Sequence, residues 1–488
     1  MVVKKKSISS ASPWSTEKGK YSKTNEIHYS FLKPQLRHAL LLCFLLSVWF
    51  VILRCFLLSS STSENNIEKL NVDEKAPKTT SKSSAISKCE GGMSVYLYDM
   101  PAEFNKGLLK DCSHLNPYTD MCPHVANRGL GQPLSYMAES AVATTWFATH
   151  QFIAEMIFHA RMENHPCRVL DPINAKLFYV PFYGGLDASS KFHDANLTAR
   201  DELAVRLADY LRSKPWWERH HGKDHFLVLG RTAWDFLRRN NDFGNSLLNL
   251  PDVQNMSVLT VERNPWDRVH NQHGIPYPSY FHPYTSHEMM TWQNKMRQSS
   301  RPHLFSFIGG PRRGVEKAAV RDELIRQCSE SGRCKLLKCG KGPSKCHDPI
   351  EVLKVMSQSQ FCLQAPGDSF TRRSTFDSVL AGCIPVFFSP HTVYTQYEWF
   401  FPAGDAREYS VYIDENALKT GNGSKRVVSI EEELFKIERE KVERMRSAVI
   451  NLMPRLTYAH PNATDLGFQD AVDVALEALW AKRLKLNV

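Results

Sequence analysis

The sequence predicts an α/β protein with two Rossmann-like domains and a cleft between them, preceded by one transmembrane helix and a disordered stem. Short apolar runs alternate with helical stretches, the alternation restarts after a polar stretch around residues 276–301, and one long apolar run lies near the amino end. Strand–helix alternation favours parallel sheets. The predicted segments are a basic tail (1–38), an anchor (39–58), a stem (59–88), an amino-terminal domain (89–300), a carboxyl-terminal domain (301–450) and a helical end (451–488).

The amino-terminal apolar run is the predicted anchor. Residues 39–58 (ALLLCFLLSVWFVILRCFLL) are apolar apart from Ser47 and Arg54, and about 20 such residues cross a bilayer core. The preceding tail holds eight Lys or Arg and two Glu, which by the positive-inside rule keeps it cytosolic. A cleaved signal peptide is the alternative, but its apolar core has only about 7–15 residues. We therefore expect a single-pass type II protein with a lumenal body.

The composition excludes a nucleic-acid partner. The chain has a net charge of +10, and much of it comes from the basic tail. In the predicted body, charges of both signs are interspersed, whereas binding to a phosphate backbone needs a basic stripe. With 42% hydrophobic and 11% aromatic residues, the body can bury a core large enough for two domains.

Cysteines and glycosylation motifs both indicate an oxidising lumen. The stem is rich in Ser, Lys, Glu and Asn and cannot offset the entropy of folding. Ten of the 12 cysteines follow the anchor, so several should be paired. A cluster of four could be imagined as a zinc site, but it lacks paired C-x2-C spacing, so disulfides are favoured: Cys328, Cys334, Cys339 and Cys346. Four N-glycosylation sequons agree: Asn196, Asn255, Asn422 and Asn462.

The predicted strands and helices fall into two series. In the first, residues 94–100, 176–183, 225–230 and 257–262 are short apolar runs typical of buried strands, and residues 139–162 predict a helix. In the second, residues 303–310, 334–339, 360–367 and 384–388 predict strands, with helices near 316–328 and 371–382. Charged helices near 430–451 and 469–484 end the chain. In such double-Rossmann architectures, ligands bind beyond the carboxyl ends of the strands.

Two loops of the second series have the form that phosphate binding requires, because each joins a strand to a helix whose amino end offers free N–H groups. The first, GGPRRG (309–314), contains Gly309, Arg312 and Arg313; the second, APGDSFTRRS (365–374), contains Gly367, Asp368, Ser369, Arg372 and Arg373. Guanidinium groups bind diphosphate oxygens bidentately. An ordinary turn with solvated arginines is the alternative interpretation.

An acidic residue follows the second loop. Asp377 falls within the predicted helix, where a carboxylate can accept hydrogen bonds from ribose hydroxyls. Taken alone, such a residue is more often a charge on a helix surface. Its neighbours favour the ribose contact.

Several long motifs resemble the exostosin-like glycosyltransferase family 47. They are YLYDMPAEFNKGLL, THQFIAEMIFHARM, DPINAKLFYVPFYGGLD, GIPYPSYFHP, LFSFIGGPRRG and FCLQAPGDSFTRRSTFDSVLAGCIPVFF. The likeness spans residues 94–413 and is closest to the plant branch that includes xyloglucan galactosyltransferases of the KATAMARI/MUR3 type.

The resemblance implies a GT-B fold and an inverting transfer from a UDP-sugar to a polysaccharide. It also implies a donor pocket in the carboxyl-terminal domain and no required metal. Many relatives have Glu where this chain has Asp377. The chain contains no Asp-x-Asp motif, which metal-dependent GT-A enzymes use to hold Mn²⁺; in a GT-B site, arginines and helix dipoles stabilise the diphosphate instead. We therefore expect no cofactor and no metal ion.

The general base is predicted in the amino-terminal domain, because an inverting transfer needs one beside the acceptor hydroxyl. Asp187, which follows the strand FYVPFYGGLD, is the first candidate, and the alternatives are Glu155, Glu262 and His159. Glu155 and His159 also fit a satisfied helix pair at i, i+4. Three aromatic residues could stack on sugars or, more simply, belong to the core: Tyr183, Trp216 and Trp217.

The sequence thus predicts a glycosyltransferase of the Golgi membrane, with galactose as the expected sugar and a polysaccharide such as xyloglucan as acceptor. The chain could also form homo-oligomers, or hetero-oligomers with other Golgi transferases, and the sequence leaves both open. A Golgi sulfotransferase is the alternative enzyme, but its donor needs a Lys/Arg–Ser/Thr loop in the first βα unit, and SVYLYDMPAEFNKG has none. A noncatalytic scaffold of a Golgi enzyme complex is the other alternative.

Overall fold

A computed structural model gives the fold. The structure describes residues 45–47, 49, 89, 92–134, 145–239, 243–266, 270–312, 314–340, 345–418, 427–464 and 466–486. The predicted tail (1–38) and nearly all of the predicted stem (59–88) and anchor (39–58) lie outside these residues. Within the described ranges, no helix combines the length and the apolar character needed to span a bilayer.

Two parallel sheets confirm the predicted α/β class. The first has the order β2-β1-β3-β4-β5-β6, with β1 (Val95–Leu97), β2 (Arg168–Val169), β3 (Leu177–Val180), β4 (His225–Thr232), β5 (Ser257–Glu262) and β6 (Gln272–Gly274). The second has the order β11-β10-β9-β7-β8, with β7 (His303–Gly309), β8 (Cys334–Lys338), β9 (Ser359–Gln364), β10 (Ile384–Phe387) and β11 (Val411–Tyr412). We call the parts that carry them the amino-terminal and carboxyl-terminal halves.

Helices lie in most of the connections between the parallel strands, and three more follow the last strand. In the amino-terminal half they are α1 (Cys122–Val125), α2 (Ala154–Met162), α3 (Gly184–Ser190), α4 (Leu197–Arg212), α5 (Pro215–His220), α6 (Pro251–Asn255) and α7 (Ser286–Gln298). The others are α8 (Val320–Glu330), α9 (Pro349–Ser357), α10 (Arg373–Leu380), α11 (Ile430–Phe435), α12 (Arg439–Leu456) and α13 (Ala471–Leu486).

The chain's last helices return to the amino-terminal half. Arg161 of α2 forms a buried ion pair with Asp470, at 2.9 Å between Nε and Oδ2, and its Nη1 donates to the Ala463 carbonyl at 3.1 Å. Lys482 of α13 donates to the Ser257 hydroxyl at the start of β5, at 3.2 Å. The carboxyl end therefore braces the first sheet.

The prediction of a helix over residues 139–162 is wrong for residues 145–153, the part before α2 that the structure describes. Helix α2 begins at Ala154, and residues 145–150 run extended, with antiparallel bridges that pair Phe147 with Pro133 and Trp146 with Phe281. Trp146 packs edge-on against Trp292, with ring centroids 4.6 Å apart. The aromatic residues at near-helical spacing are therefore buried from an extended segment and not from one face of a helix.

Five disulfides pair the ten cysteines that follow residue 88, which confirms the predicted disulfides. They are Cys89–Cys167, Cys112–Cys122, Cys328–Cys334, Cys339–Cys346 and Cys362–Cys383. The four cysteines considered for a zinc site thus form two disulfides. Cys362–Cys383 fastens β9 to the residue that precedes β10.

Candidate active site

A cavity of about 1200 Å³ lies between the two halves. The carboxyl-terminal half contributes the loops that follow β7, β8 and β9, and the amino-terminal half contributes residues 148–151 and Tyr280. Loops at the carboxyl ends of parallel strands meet at one edge of a sheet, where open α/β sheets bind ligands. This cavity is therefore the candidate active site.

The loop after β7 is held by an arginine that the sequence analysis missed. Arg321 of α8 donates from Nε to the Gly310 carbonyl at 2.7 Å, and from Nη1 to the carbonyls of Ala365 at 3.3 Å and Pro366 at 3.1 Å. A side chain at Gly309 would collide with this guanidinium. Arg321 thus fixes both predicted phosphate loops relative to each other.

A weak signal for Arg321 exists in the sequence. Arg321 lies three residues before the buried Leu324 and next to the buried Val320, so it occupies a core-facing position of α8. A charged residue at such a position is uncommon unless it has specific partners.

The loop after β9 presents a half-buried cation, Arg372, to the cavity. Arg372 borders the cavity, and two of its guanidinium nitrogens, Nε and Nη2, are buried without a hydrogen-bond partner. Burial, first of all, lowers the pKa of Arg372, and the neighbouring Arg312 acts in the same direction. Gly367 packs against this guanidinium, and any side chain there would overlap Nη2. An anion in the cavity would supply the missing acceptors.

Arg373, the next residue, is already engaged. Its Nη1 donates to the Thr149 carbonyl at 3.0 Å, its Nη2 donates to the Tyr280 hydroxyl, and its Nε lies 3.4 Å from Oδ2 of Asp377. Asp377 in turn accepts from the Ser279 hydroxyl at 2.6 Å. Thr149, Ser279 and Tyr280 belong to the amino-terminal half, so the pair of Arg373 with the buried Asp377 joins the two halves while it borders the cavity.

Burial sets the charge state of Asp377. Because the carboxyl is buried, its pKa is raised, and Arg373 and the Ser279 hydrogen bond oppose that rise. Asp377 lies one turn into α10, paired with Arg373, and it borders the cavity.

The other predicted donor residues lie around the same loops. Gly309 and Arg312 border the cavity, and Arg312 pairs with Asp368 at 3.4 Å across the two loops, with both side chains largely exposed. The Ser369 carbonyl accepts from the Gly367 N–H at 2.9 Å, which tightens the turn. Arg313 lies outside the described residues.

The first candidate for the general base lies apart from the cavity. Asp187 is buried in α3 and pairs through Oδ1 with Lys191 at 2.7 Å, while its Oδ2 is buried without a partner. Burial raises the pKa of Asp187, and Lys191 opposes the rise. Neither Asp187 nor the three alternatives are among the residues that border the cavity.

Glu155 and His159 do not pair with each other, contrary to the expected i, i+4 contact. Glu155 is completely buried and accepts three backbone hydrogen bonds, from Gly185 at 2.9 Å, Leu186 at 3.0 Å and Gly230 at 2.9 Å. Its pKa is raised to about 7 by burial, against the effect of these bonds. His159 binds the Tyr183 hydroxyl at 2.9 Å, and burial lowers its pKa to about 4. Glu155 therefore joins the first turn of α3 to β4.

Glu262 connects the amino-terminal half to the second phosphate loop. It ends β5 and accepts the N–H of Thr371 at 2.8 Å, the Thr371 hydroxyl, and Nε1 of Trp234 at 3.0 Å. Thr371 precedes Arg372 directly. The carboxylate of Glu262 thus positions the loop that carries the half-buried cation.

Two histidines missed by the sequence analysis border the cavity. The rings of His124 and His150 have centroids 5.0 Å apart. The N–H of Phe152 donates to Nδ1 of His150 at 3.2 Å, so the proton of this neutral ring is on Nε2. Burial lowers the pKa of His150 to about 3, and His124, Arg373 and Arg231 add to the effect. Single histidines scattered along a sequence give no pattern that could have identified the pair.

The remaining predicted positions have simpler environments. Tyr183 and Trp217 are buried in the core and offer no exposed sugar-stacking face, whereas Trp216 is half-buried. The sequon residues Asn196, Asn255 and Asn462 are exposed, and Asn422 lies outside the described residues. In the described part of the chain, no group of three His, Cys, Asp or Glu side chains could hold a metal ion.

Comparisons with known proteins agree with the geometry. Residues 89–430 match the model of the exostosin GT47 domain. The chain is 57% identical over 474 residues to the probable xyloglucan galactosyltransferase GT17 of Arabidopsis thaliana, covering 97% of this chain and 95% of that protein. It is 44% identical to the xyloglucan galactosyltransferase MUR3 (82% of this chain, 64% of MUR3) and 42% identical to the xyloglucan-specific galacturonosyltransferase 1 (81% and 58%), both from the same plant.

One solved structure is only distantly similar. The pneumococcal O-GlcNAc transferase GtfA, in complex with UDP and GlcNAc, aligns over 57% of this chain and 59% of its own, with 12% identity and a TM-score of 0.24. At this level the likeness carries no argument about the cavity.

Proposed function

The chain belongs to the exostosin GT47 family, and we propose that it transfers galactose from UDP-galactose to a side chain of xyloglucan, with inversion at the anomeric carbon. The observation that carries the proposal is Arg372, a half-buried cation that borders a large cavity and has two buried guanidinium nitrogens without acceptors. A buried unpaired cation is costly unless a ligand pairs with it. The diphosphate of a nucleotide sugar has the matching charge and oxygens.

We propose a GT-B architecture with the donor site in the carboxyl-terminal half. The loops after β7, β8 and β9 all border the cavity. Helix α10 begins at Arg373, beside Arg372, so its free N–H groups lie where a diphosphate would bind. Asp377, one turn into this helix, is the proposed acceptor for the ribose hydroxyls.

The proposed reaction needs no metal ion. Arg372 and Arg312 border the cavity, and the amino end of α10 adds a partial positive charge. Together these groups can stabilise the negative charge that develops on the leaving UDP. Full activity in the presence of a chelator is the expected result, and loss of activity that Mn²⁺ restores would contradict this part of the proposal.

We propose that the protein is a single-pass type II protein of the Golgi membrane with its catalytic body in the lumen. The apolar run 39–58, the basic tail before it, five disulfides and three exposed sequon asparagines support this location. A cleaved signal peptide would instead give a soluble lumenal protein. Sensitivity of the full chain to protease in sealed Golgi vesicles distinguishes the two, because only the short basic tail should be cut.

Donor and acceptor are tested together on the purified full-length chain. We expect transfer to galactose-free xyloglucan oligosaccharides from UDP-galactose in a screen that includes UDP-galacturonic acid, UDP-arabinose and UDP-xylose. UDP should raise the melting temperature of the wild-type chain but not of Arg372→Ala. If transfer occurs only from UDP-galacturonic acid, the donor sugar in the proposal changes to galacturonic acid, but the protein is still a glycosyltransferase. No transfer and no UDP stabilisation would favour the noncatalytic scaffold.

A further inference from the structure

Three aromatic rings from both halves form a cluster, which we call the aromatic platform: the exposed Trp266 and the half-buried Phe370 and His391. The Trp266 ring centroid lies 5.7 Å from that of Phe370 and 4.7 Å from that of His391, and the latter two are 5.1 Å apart. All three contacts are edge-to-face. Trp266 is 62% exposed, and together with its two aromatic neighbours it forms an apolar patch at the surface, which is the kind of feature that marks a binding site.

Hydrogen bonds hold the platform in place. The backbone N–H of Trp266 donates to Oδ1 of Asn264 at 3.0 Å, and the backbone N–H of Asn264 donates to Oε1 of Gln272 at 3.1 Å. Nδ1 of His391 lies 3.2 Å from the Thr395 hydroxyl. These bonds fix the backbone at Trp266, while its indole contacts the rings of Phe370 and His391. A side chain that is already packed in this way loses less conformational entropy when it binds a ligand.

The platform shares a loop with the candidate active site, although none of its three rings borders the cavity. Phe370 lies in the loop after β9, two residues before Arg372, which borders the cavity. The residue between them, Thr371, is tied to Glu262, four residues before Trp266. The two segments thus leave the carboxyl ends of β9 and β5 together, so a ligand on the platform and a ligand in the cavity share one loop.

The charge of the platform favours an uncharged ligand. Its rings carry no carboxylate or ammonium group, and the pKa of His391 is lowered by burial and by the nearby Arg263, so this ring is neutral at pH 7. The nearby Arg263 keeps its positive charge, and its Nε donates to the Thr395 carbonyl at 2.7 Å. Pyranose rings are neutral and present an apolar face of C–H groups, which suits the electron-rich face of an indole.

We propose that the aromatic platform binds a neutral sugar ring of the acceptor polysaccharide, stacked on the indole of Trp266. The inference rests on the proposed function, because a chain that receives a sugar from a donor in the cavity must lie along its rim. The platform then supplies acceptor affinity while it leaves the donor site unchanged. It takes the place of the buried Tyr183 and Trp217, whose sequence positions had suggested stacking.

Kinetics of Trp266→Ala in the full-length chain test the proposal. We expect the KM for xyloglucan oligosaccharides to rise about tenfold, or about 1.4 kcal/mol, with the KM for UDP-galactose and the UDP-induced melting shift unchanged. Trp266→Phe should recover most of the acceptor affinity. Phe435→Ala is the matched control, because Phe435 is 63% exposed but lies on α11, outside the site.

Direct titration of a xyloglucan oligosaccharide keeps this test separate from the proposed function. If the wild-type chain binds the oligosaccharide and Trp266→Ala binds it tenfold more weakly, the platform stands even where no sugar is transferred. The inference is overturned if both chains bind equally, or if the donor and acceptor KM rise together. It is also overturned if Trp266→Ala changes the oligomeric state in analytical ultracentrifugation, since the platform would then be covered by a second copy.

Discussion

The guanidinium of Arg372 occupies the space that a side chain at position 367 would need. A Cβ on Gly367 would overlap Nη2 of Arg372, and the same guanidinium keeps two buried nitrogens without acceptors at the cavity. The small residue of the predicted phosphate loop therefore has a specific task. Gly367 leaves room for the guanidinium of Arg372 against the backbone, and this close contact, not backbone flexibility, is the reason for a glycine here.

Gly367→Ala should weaken donor binding by displacing Arg372. Loss of one charge-assisted hydrogen bond costs about 2 kcal/mol, so the KM for the UDP-sugar should rise about thirtyfold. Donor kinetics on the full-length chain measure this, with circular dichroism as the check on folding. Gly404→Ala is the control, because a Cβ at position 404 would meet no other atom within 4 Å. Unchanged donor KM in Gly367→Ala would mean that Arg372 does not bind the donor.

Neighbouring arginines should respond in opposite ways to truncation. Arg372→Ala removes a half-buried cation that has two buried nitrogens without hydrogen-bond partners, so the free energy of unfolding should stay the same or rise while UDP no longer stabilises the protein. Arg373→Ala leaves Asp377 buried without its partner and breaks the contact with Thr149, and should cost about 3 kcal/mol of stability. Urea denaturation with and without UDP measures both. Equal losses of stability in the two variants would contradict the assignment of Arg372 to ligand binding and of Arg373 to the contact between the halves.

This contrast shows how far the sequence could predict the site. Loops after parallel strands converge at one sheet edge, so Gly309, Arg312, Arg372 and Asp377 were expected near one another, and the structure brings them around one cavity. The separate roles of Arg372 and Arg373 depend on Thr149 and Tyr280, which come from the other half of the chain. Contacts between residues so far apart in the sequence leave no local pattern.

The wrong helix prediction and the missed arginine also result from contacts between residues far apart in the sequence. Trp146 and Phe147 recur at a spacing that fits a helix, but the backbone there pairs with residues near 133 and 281, so tertiary contacts decided the conformation. Arg321 was missed because its partners are carbonyls of two loops, and carbonyls are common to all residues. The parallel sheets, in contrast, follow from short apolar runs whose periodicity needs no tertiary information.

Asp187→Asn should keep most of its turnover, because the carboxylate is buried beside Lys191 and does not border the cavity. We expect kcat within about threefold of wild type, whereas removal of a general base costs about a hundredfold or more. Asp377→Asn is the comparison, since it alters a group that does border the cavity and should raise the donor KM. A hundredfold loss of kcat in Asp187→Asn at unchanged stability would identify Asp187 as the base after all.

Glu155 should make the stability of the protein fall as the pH rises. Burial raises the pKa of Glu155 to about 7, above the ordinary value of 4.5 that its carboxyl has in the unfolded chain. Between these two values the unfolded chain has released this proton and the folded chain still holds it. Its contribution to stability is therefore complete below pH 4.5 and is lost as the pH rises to about 7, by about 3 kcal/mol.

Comparison with Glu155→Gln isolates this contribution from the other titrating groups. Gln does not ionise, so the difference in unfolding free energy between the two chains, measured in urea from pH 4.5 to 8, should shift in favour of the variant as the pH rises. The variant should nevertheless be the less stable chain at pH 4.5, because an amide cannot accept all three hydrogen bonds from Gly185, Leu186 and Gly230. A difference that stays constant with pH would show that the three backbone N–H groups hold Glu155 ionised throughout.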